Sequence, residues 1–253
     1  IFINEALSDV YGDIKLKKIK EKVKASKTSG FNGNQQILNF VKDLYSDYDI
    51  YNNYLTFFDK SFTSPLSKTG IDVYNYVLRD SAYIDKKWCY NIVFYPRRKN
   101  ELTFEGDFWV NDSTFAIKKI NMAVTKSANI NWVKDIYLEQ EFEVVSDSVF
   151  LLTKDYLMSD FALNKKEKSK GIYGKRTTFF RDHKFNNPKP IVFYKDEVNY
   201  KEPDIYNKSD EYWEENRFEN LSKDEIGVYK MYDTLQTVKK FKQIYSSVQV
   251  LAS

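Results

Sequence analysis

Residues 101–122 read ELTFEGDFWVNDSTFAIKKINM, and this stretch decides the fold. Leu102, Phe104, Phe108 and Val110 alternate with Thr103, Glu105 and Asp107, a period of two that puts one set on each face of a strand. A polar run, Asn111 to Thr114, interrupts the rhythm, and Ile120, Met122 and Val124 resume it. Two alternating runs around a short Asn/Asp/Ser/Thr turn predict a β-hairpin.

The same rhythm extends outward in both directions. Upstream, Trp88, Tyr90, Ile92 and Phe94 share a face of WCYNIVFY. Downstream, Ile136, Leu138, Phe142 and Val144 stand opposite Glu139, Glu141 and Glu143. SVFLLTKDYLMSDFAL (148–163) and IYGKRTTFFRD (172–182) continue the series. Consecutive hairpins predict one large antiparallel meander over residues 72–183, apolar on one face and polar on the other. Each large apolar side chain left in water forgoes about 1.5–3 kcal/mol, so the apolar face needs a cover. The fold class expected is therefore mainly β with a few helices (α+β), a large curved antiparallel meander sheet, or half-barrel, wrapping around helices.

Helical candidates are few. In NQQILNFVKDLYS (34–46), Ile37, Phe40, Val41 and Leu44 fall at i, i+3, i+4 and i+7, the stripe of an amphipathic helix. Residues 209–253 form a second helical segment, opened by a Ser209/Asp210 N-cap signal. In YLTFFDKSFTSPLS (54–67) the chain starts as a strand and breaks at Pro65. Residues 1–30 carry KLKKIKEKVKASK, where lysines at 18, 20, 22 and 24 alternate with Ile19, Glu21, Val23 and Ala25, an edge strand defended by charge. A helix using Ile14, Ile19 and Val23 competes with that reading. Residues 184–208 hold three of the five prolines and read as an irregular connection; no boundary splits the 253 residues, which are read as one domain. The chain opens on IFINEALSDVYG, already strand-like, and reads as a piece of something longer.

Chemistry is excluded motif by motif. One histidine, His183, and one cysteine, Cys89, leave no His/Cys metal set, no disulfide and no paired nucleophile. Phosphate-cradling and dinucleotide glycine loops are missing, as is a G-x-S-x-G elbow. No cofactor and no metal is expected. Glu139, Glu141 and Glu143 read as a solvated strand face; a hydrolase would need two carboxyls about 5–10 Å apart in a cleft. A net charge of +3 does not imply nucleic acid, and none is expected as a partner. Basic clusters at 97–99, 165–170 and 175–176 would suit a lipid headgroup if they converge. Trp88, Trp109, Trp132 and Trp213 read as packing residues. Catalytic residues are none, and ligand-binding residues stay unassigned.

The ordered motifs FDKSFTSPLS, YNYVLRDSAYIDKKWCYNIVFYPRRKNELTFEGDFWVNDSTFAIKKINM and INWVKDIYLEQEFE resemble a Bacteroidota-type outer-membrane protein family of unknown function. Such proteins join a carboxypeptidase-regulatory-like β-sandwich, a middle domain and a C-terminal membrane β-barrel. The chain is similar to the middle domain. The resemblance implies a non-enzymatic module on the periplasmic face of the outer membrane, with its own barrel as a partner and residues 209–253 leading toward it. In style the hairpins are also similar to half-barrel domains of lipoprotein-sorting proteins, which implies an apolar or lipid-type ligand such as an acyl chain. A structural or protein-interaction module, serving the barrel or another envelope protein, is the alternative.

Overall fold

The 101–122 stretch forms the expected hairpin. In the computed structural model Phe104–Asn111 and Ile117–Val124 are antiparallel strands. The turn between them is built on Asn111, whose Oδ1 accepts from Thr114 N at 3.0 Å and Thr114 Oγ1 at 2.8 Å. An Asx side chain that folds back on its own turn fixes where the strand ends.

The structure describes residues 3–13, 15–29, 44, 46–128, 133–146, 149–162, 171–187, 189–195, 200–201 and 204–238. In chain order come β1 (Ile3–Asp13), β2 (Lys18–Ser29), β3 (Tyr54–Phe57), β4 (Lys60–Thr63) and a single turn, α1 (Gly70–Val73). Then follow β5 (Tyr74–Ile84), β6 (Lys87–Pro96), β7 (Phe104–Asn111), β8 (Ile117–Val124), β9 (Val133–Ser146), β10 (Val149–Ala162) and β11 (Gly171–Phe179). β12 (Tyr200–Lys201), α2 (Asp210–Asn216) and α3 (Lys223–Thr237) complete the order. The chain divides into two compact units: 36–183, and 1–35 together with 184–253.

In the first of these, β5 to β11 make one seven-stranded antiparallel sheet in which every strand lies beside its sequence neighbours. The sheet stays open, with β5 and β11 as its outer strands, and is not closed into a barrel. Cross-strand register sets Phe94, Gly106, Met122, Leu138 and Leu157 in one row of the apolar face, and Ile92, Phe108, Ile120 and Gln140 in the next. Among the described residues of this unit, the cover over that face is the β3–β4 hairpin with its flanks, residues 46–66, which we call the strap. Phe57 and Phe62 of the strap are fully buried; Phe57 stacks on Tyr48 with centroids 4.1 Å apart and meets Phe104 edge-on at 6.1 Å. A hairpin can cover a sheet as well as a helix can, because what the face requires is apolar area of matching shape. Apart from Leu44 and Ser46, the helix expected at 34–46 lies outside the described residues.

In the second unit β2 lies between β1 and β12, pairing antiparallel with the first and parallel with the second. The lysine-rich stretch is thus a strand, as its rhythm requires, but a central one over Lys22–Val23. Its short partner comes from the connection at 184–208, which local patterning cannot reveal. Lys20 Nζ donates to Phe193 O at 2.7 Å, Lys24 pairs with Asp9 at 2.8 Å and Lys27 with Asp210 at 2.5 Å. Ser209 caps α2, and Ser222 and Glu225 form a capping box on α3. Arg217 grips the Glu5 carboxylate with two hydrogen bonds of 2.6 and 2.9 Å, and Tyr229 donates to the same carboxylate at 2.6 Å.

Candidate functional site

Both ends of the strap are fastened to the sheet. At one, Tyr74 Oη donates to Thr63 O at 2.5 Å and Tyr76 Oη to Pro65 O at 2.6 Å, while Phe104 N donates to Tyr74 Oη at 3.1 Å. Burial raises both phenols, Tyr76 to about 12, so they stay protonated donors. At the other end a buried polar clasp takes over. Gln140 Nε2 donates to Tyr48 O at 2.8 Å and to Asp155 Oδ1 at 2.9 Å; Arg176 pairs with Asp155 and donates to Ser46 O at 2.7 Å. Burial pushes the Asp155 carboxyl up, against the Gln140 and Arg176 contacts that pull it down. Beside the clasp, a Cβ on Gly174 would lie 2.3 Å from Leu44 Cδ1, so this glycine makes room for the chain entering the strap.

The strap leaves the β5–β6 corner of the apolar face open. Phe94 is fully buried, but on the same face Ile92 is half-buried and Tyr90 exposed, and Leu78, opposite Ile92, is 61% exposed. Past them the face ends in Tyr83 and Trp88, a directly opposed pair with ring centroids 4.8 Å apart. Under the strap the space is filled: Phe57, Phe62, Phe94, Phe104, Ile120, Met122 and Leu138 are all 1% exposed or less. An open depression of about 370 Å³ lies along the strap's outer side, near Asp47, Asp49, Asn52 and Tyr54. A second, of about 210 Å³, lies by the β8–β9 turn near Thr125, Lys126, Lys134 and Asp135.

The opposite face is polar, and its carboxylates Asp107, Glu139 and Glu141 are ion-paired. Lys119 Nζ reaches Glu141 at 2.7 Å and Glu139 at 3.5 Å, and Lys154 reaches Glu139 at 3.8 Å. Although burial pushes Glu141 up, its bond and charge pairing with Lys119 outweigh that and hold the carboxyl below its ordinary range. Such a group is a poor proton donor at neutral pH. Glu143 stands exposed. In the next strands, Asn91 donates to Asp107 at 2.8 Å and Arg79 pairs with Asp107 at 3.3 Å.

Other residues singled out in the sequence are dispersed. Arg97, Arg98 and Lys99 follow β6, and Lys175 and Arg176 lie in β11, five strands away; these two clusters do not converge. Adjacent on one strand, Lys175 and Arg176 face opposite ways, only Arg176 joining the clasp. The cluster at 165–170 and Trp132 lie outside the described residues. Cys89 is buried in β6, where loss of solvent pushes its thiol up and away from nucleophilic reactivity. His183 is exposed beyond β11. Trp109 is half-buried on the polar face, and Trp213 is buried beside Arg217. The clasp is absent from the sequence reading, yet it left a signal: Gln140 falls between Leu138 and Phe142 in the apolar phase of β9.

No curated protein and no solved structure matches this chain. One family model does, over residues 1–173, from β1 to the start of β11. Its description is a family of unknown function (DUF5686), and the chain belongs to that family.

Proposed function

We propose that this chain is a non-enzymatic contact module on the periplasmic side of the outer membrane, using the uncovered end of its apolar sheet face to hold a neighbouring component of the envelope. One observation carries the reading: the apolar face is filled and fastened beneath the strap but runs on, exposed, through Leu78, Tyr90 and Tyr83. Large apolar side chains grouped on a surface favour contact with something apolar. The filled space under the strap turns the reading away from an acyl chain swallowed by the sheet and toward contact at its end. Ion pairing of Glu139 and Glu141 and the raised Cys89 thiol support a role without catalysis. The envelope address and the neighbouring barrel rest on the sequence resemblance given above.

The test is site-specific photo-crosslinking in producing cells followed by membrane fractionation. A benzophenone amino acid at Leu78 or Tyr83 should give adducts in the envelope fraction, to lipid or to one envelope protein, and the same probe at Glu105, on the polar face, should give none. No adduct at Leu78 and Tyr83, or equal labelling at Glu105, would defeat the reading.

A further inference from the structure

The turns β5–β6, β7–β8 and β9–β10 all lie at the same end of the seven-stranded sheet, where the strap reaches Ile117 and Phe142 through Tyr51 but leaves the β5–β6 corner open. Phe115, in the β7–β8 turn, is 77% exposed at φ 57°, a left-handed conformation. A bulky ring there meets two costs at once, since left-handed backbone disfavours it and water surrounds it. Asparagine or glycine would serve the turn better, so Phe115 is not explained by folding. Tyr83, 73% exposed, stands at the adjacent hairpin end against Trp88. The two ends are tied together: Trp88 O accepts from Asn111 Nδ2 at 3.0 Å and from Asp112 N at 3.1 Å. Exposed Tyr51 fastens alongside, accepting from Ile117 N at 3.2 Å, and exposed Val149 opens β10.

Asp85 is ion-paired with Lys118 at 2.5 Å. Asp112 accepts from Ser113 Oγ at 2.7 Å and keeps its charge, while Lys86 stands exposed at the β5–β6 turn. Tyrosine, tryptophan and phenylalanine on turn tips with lysine beside them have the composition of side chains that settle at a bilayer interface. A protein pocket would instead demand a rim around a hollow, and these rings stand on hairpin ends. We infer that the Phe115/Tyr83/Trp88 tip seats on the surface of a phospholipid bilayer, with Lys86 toward anionic headgroups. This rests on the proposed use of the open sheet end as a contact site and names what it contacts.

The experiment is co-sedimentation of the 253-residue chain with vesicles of phosphatidylethanolamine and phosphatidylglycerol. The parent chain should bind, more weakly as salt is added. Phe115→Asn should weaken binding about tenfold, and Tyr83→Ser in the same chain by roughly as much again. Because asparagine tolerates φ 57°, Phe115→Asn should melt no lower than the parent, which separates lost binding from lost folding. A parent chain that stays in the supernatant, or a double variant that binds like the parent, overturns the inference. If vesicles are ignored while the Tyr83 probe still cross-links one envelope protein, the contact site stands and the bilayer falls; if neither occurs, both fall.

Discussion

Gly106 of β7 passes so close to Asn121 of β8 that a Cβ at position 106 would lie 2.0 Å from the Asn121 carbonyl oxygen. The obstacle is backbone inside a paired ladder, which cannot rotate away as a side-chain tip could. Gly106→Ala should therefore cost about 1–3 kcal/mol or more, as overpacking does. Gly12→Ala, with nothing within 4 Å of the new methyl group, should cost nothing by the same route. Thermal unfolding followed by circular dichroism compares the two.

Tyr74 serves strap and sheet together, donating to Thr63 O and accepting from Phe104 N. Tyr74→Phe keeps the ring and orphans a buried N–H and a half-buried carbonyl. A loss of about 1–3 kcal/mol is expected. Urea titration should show it, with faster hydrogen exchange at Phe104 as the local signature.

The Asp155–Arg176 pair predicts a non-additive series. Arg176→Met leaves a buried carboxylate without its counter-charge and should cost about 3–5 kcal/mol; adding Asp155→Leu should return much of it. Burial already holds the Asp155 carboxyl above its ordinary value. An acid raised on folding contributes stability below that folded value and loses it as pH rises. Arg176→Met should therefore gain stability relative to the parent as pH is lowered. Urea midpoints of parent, single and double variants across pH measure both effects.

Glu5 carries the opposite sign. Burial pushes its carboxyl up, but the bonds from Arg217 and Tyr229 outweigh that and hold it below the ordinary 4.5. An acid lowered on folding contributes stability above its unfolded value and loses it as pH falls through the folded one. Hydrogen exchange of the β1 amides should accelerate as pH drops below about 4.5 in the parent, after correction for intrinsic rates. Glu5→Gln should exchange faster at neutral pH and show little further acid response.

The seven-stranded meander was legible because each strand needs only its neighbour and declares its phase: Phe104, Phe108, Ile120, Met122 and Leu138 all lie on the apolar face that alternation assigns. What covers that face was not, because Phe57 and Phe62 sit in two four-residue strands whose apolar positions look the same whether they cap a sheet or extend one. The pairing of Asp155 with Arg176 was not legible, because the carbonyl of Ser46 that Arg176 meets lies 130 residues away in sequence. Trp88, Tyr90, Ile92 and Phe94 were placed on one face correctly. Their graded exposure depends on where the strap stops, and alternation carries no information about that.

The unit that holds β1 and β2 is interrupted by the whole of the other one, and this orders events in time. Every pairing in the seven-stranded sheet joins sequence neighbours, so it can zip up progressively as the chain is made. Glu5 must wait 212 residues for Arg217, roughly ten to forty seconds of synthesis at cellular rates. Through that interval the newly made β1–β2 hairpin has to survive without its later partners. The lysines of β2, before Phe193, Tyr194 and Asp210 arrive to receive Lys20, Lys18 and Lys27, are the groups that keep it from sticking to itself.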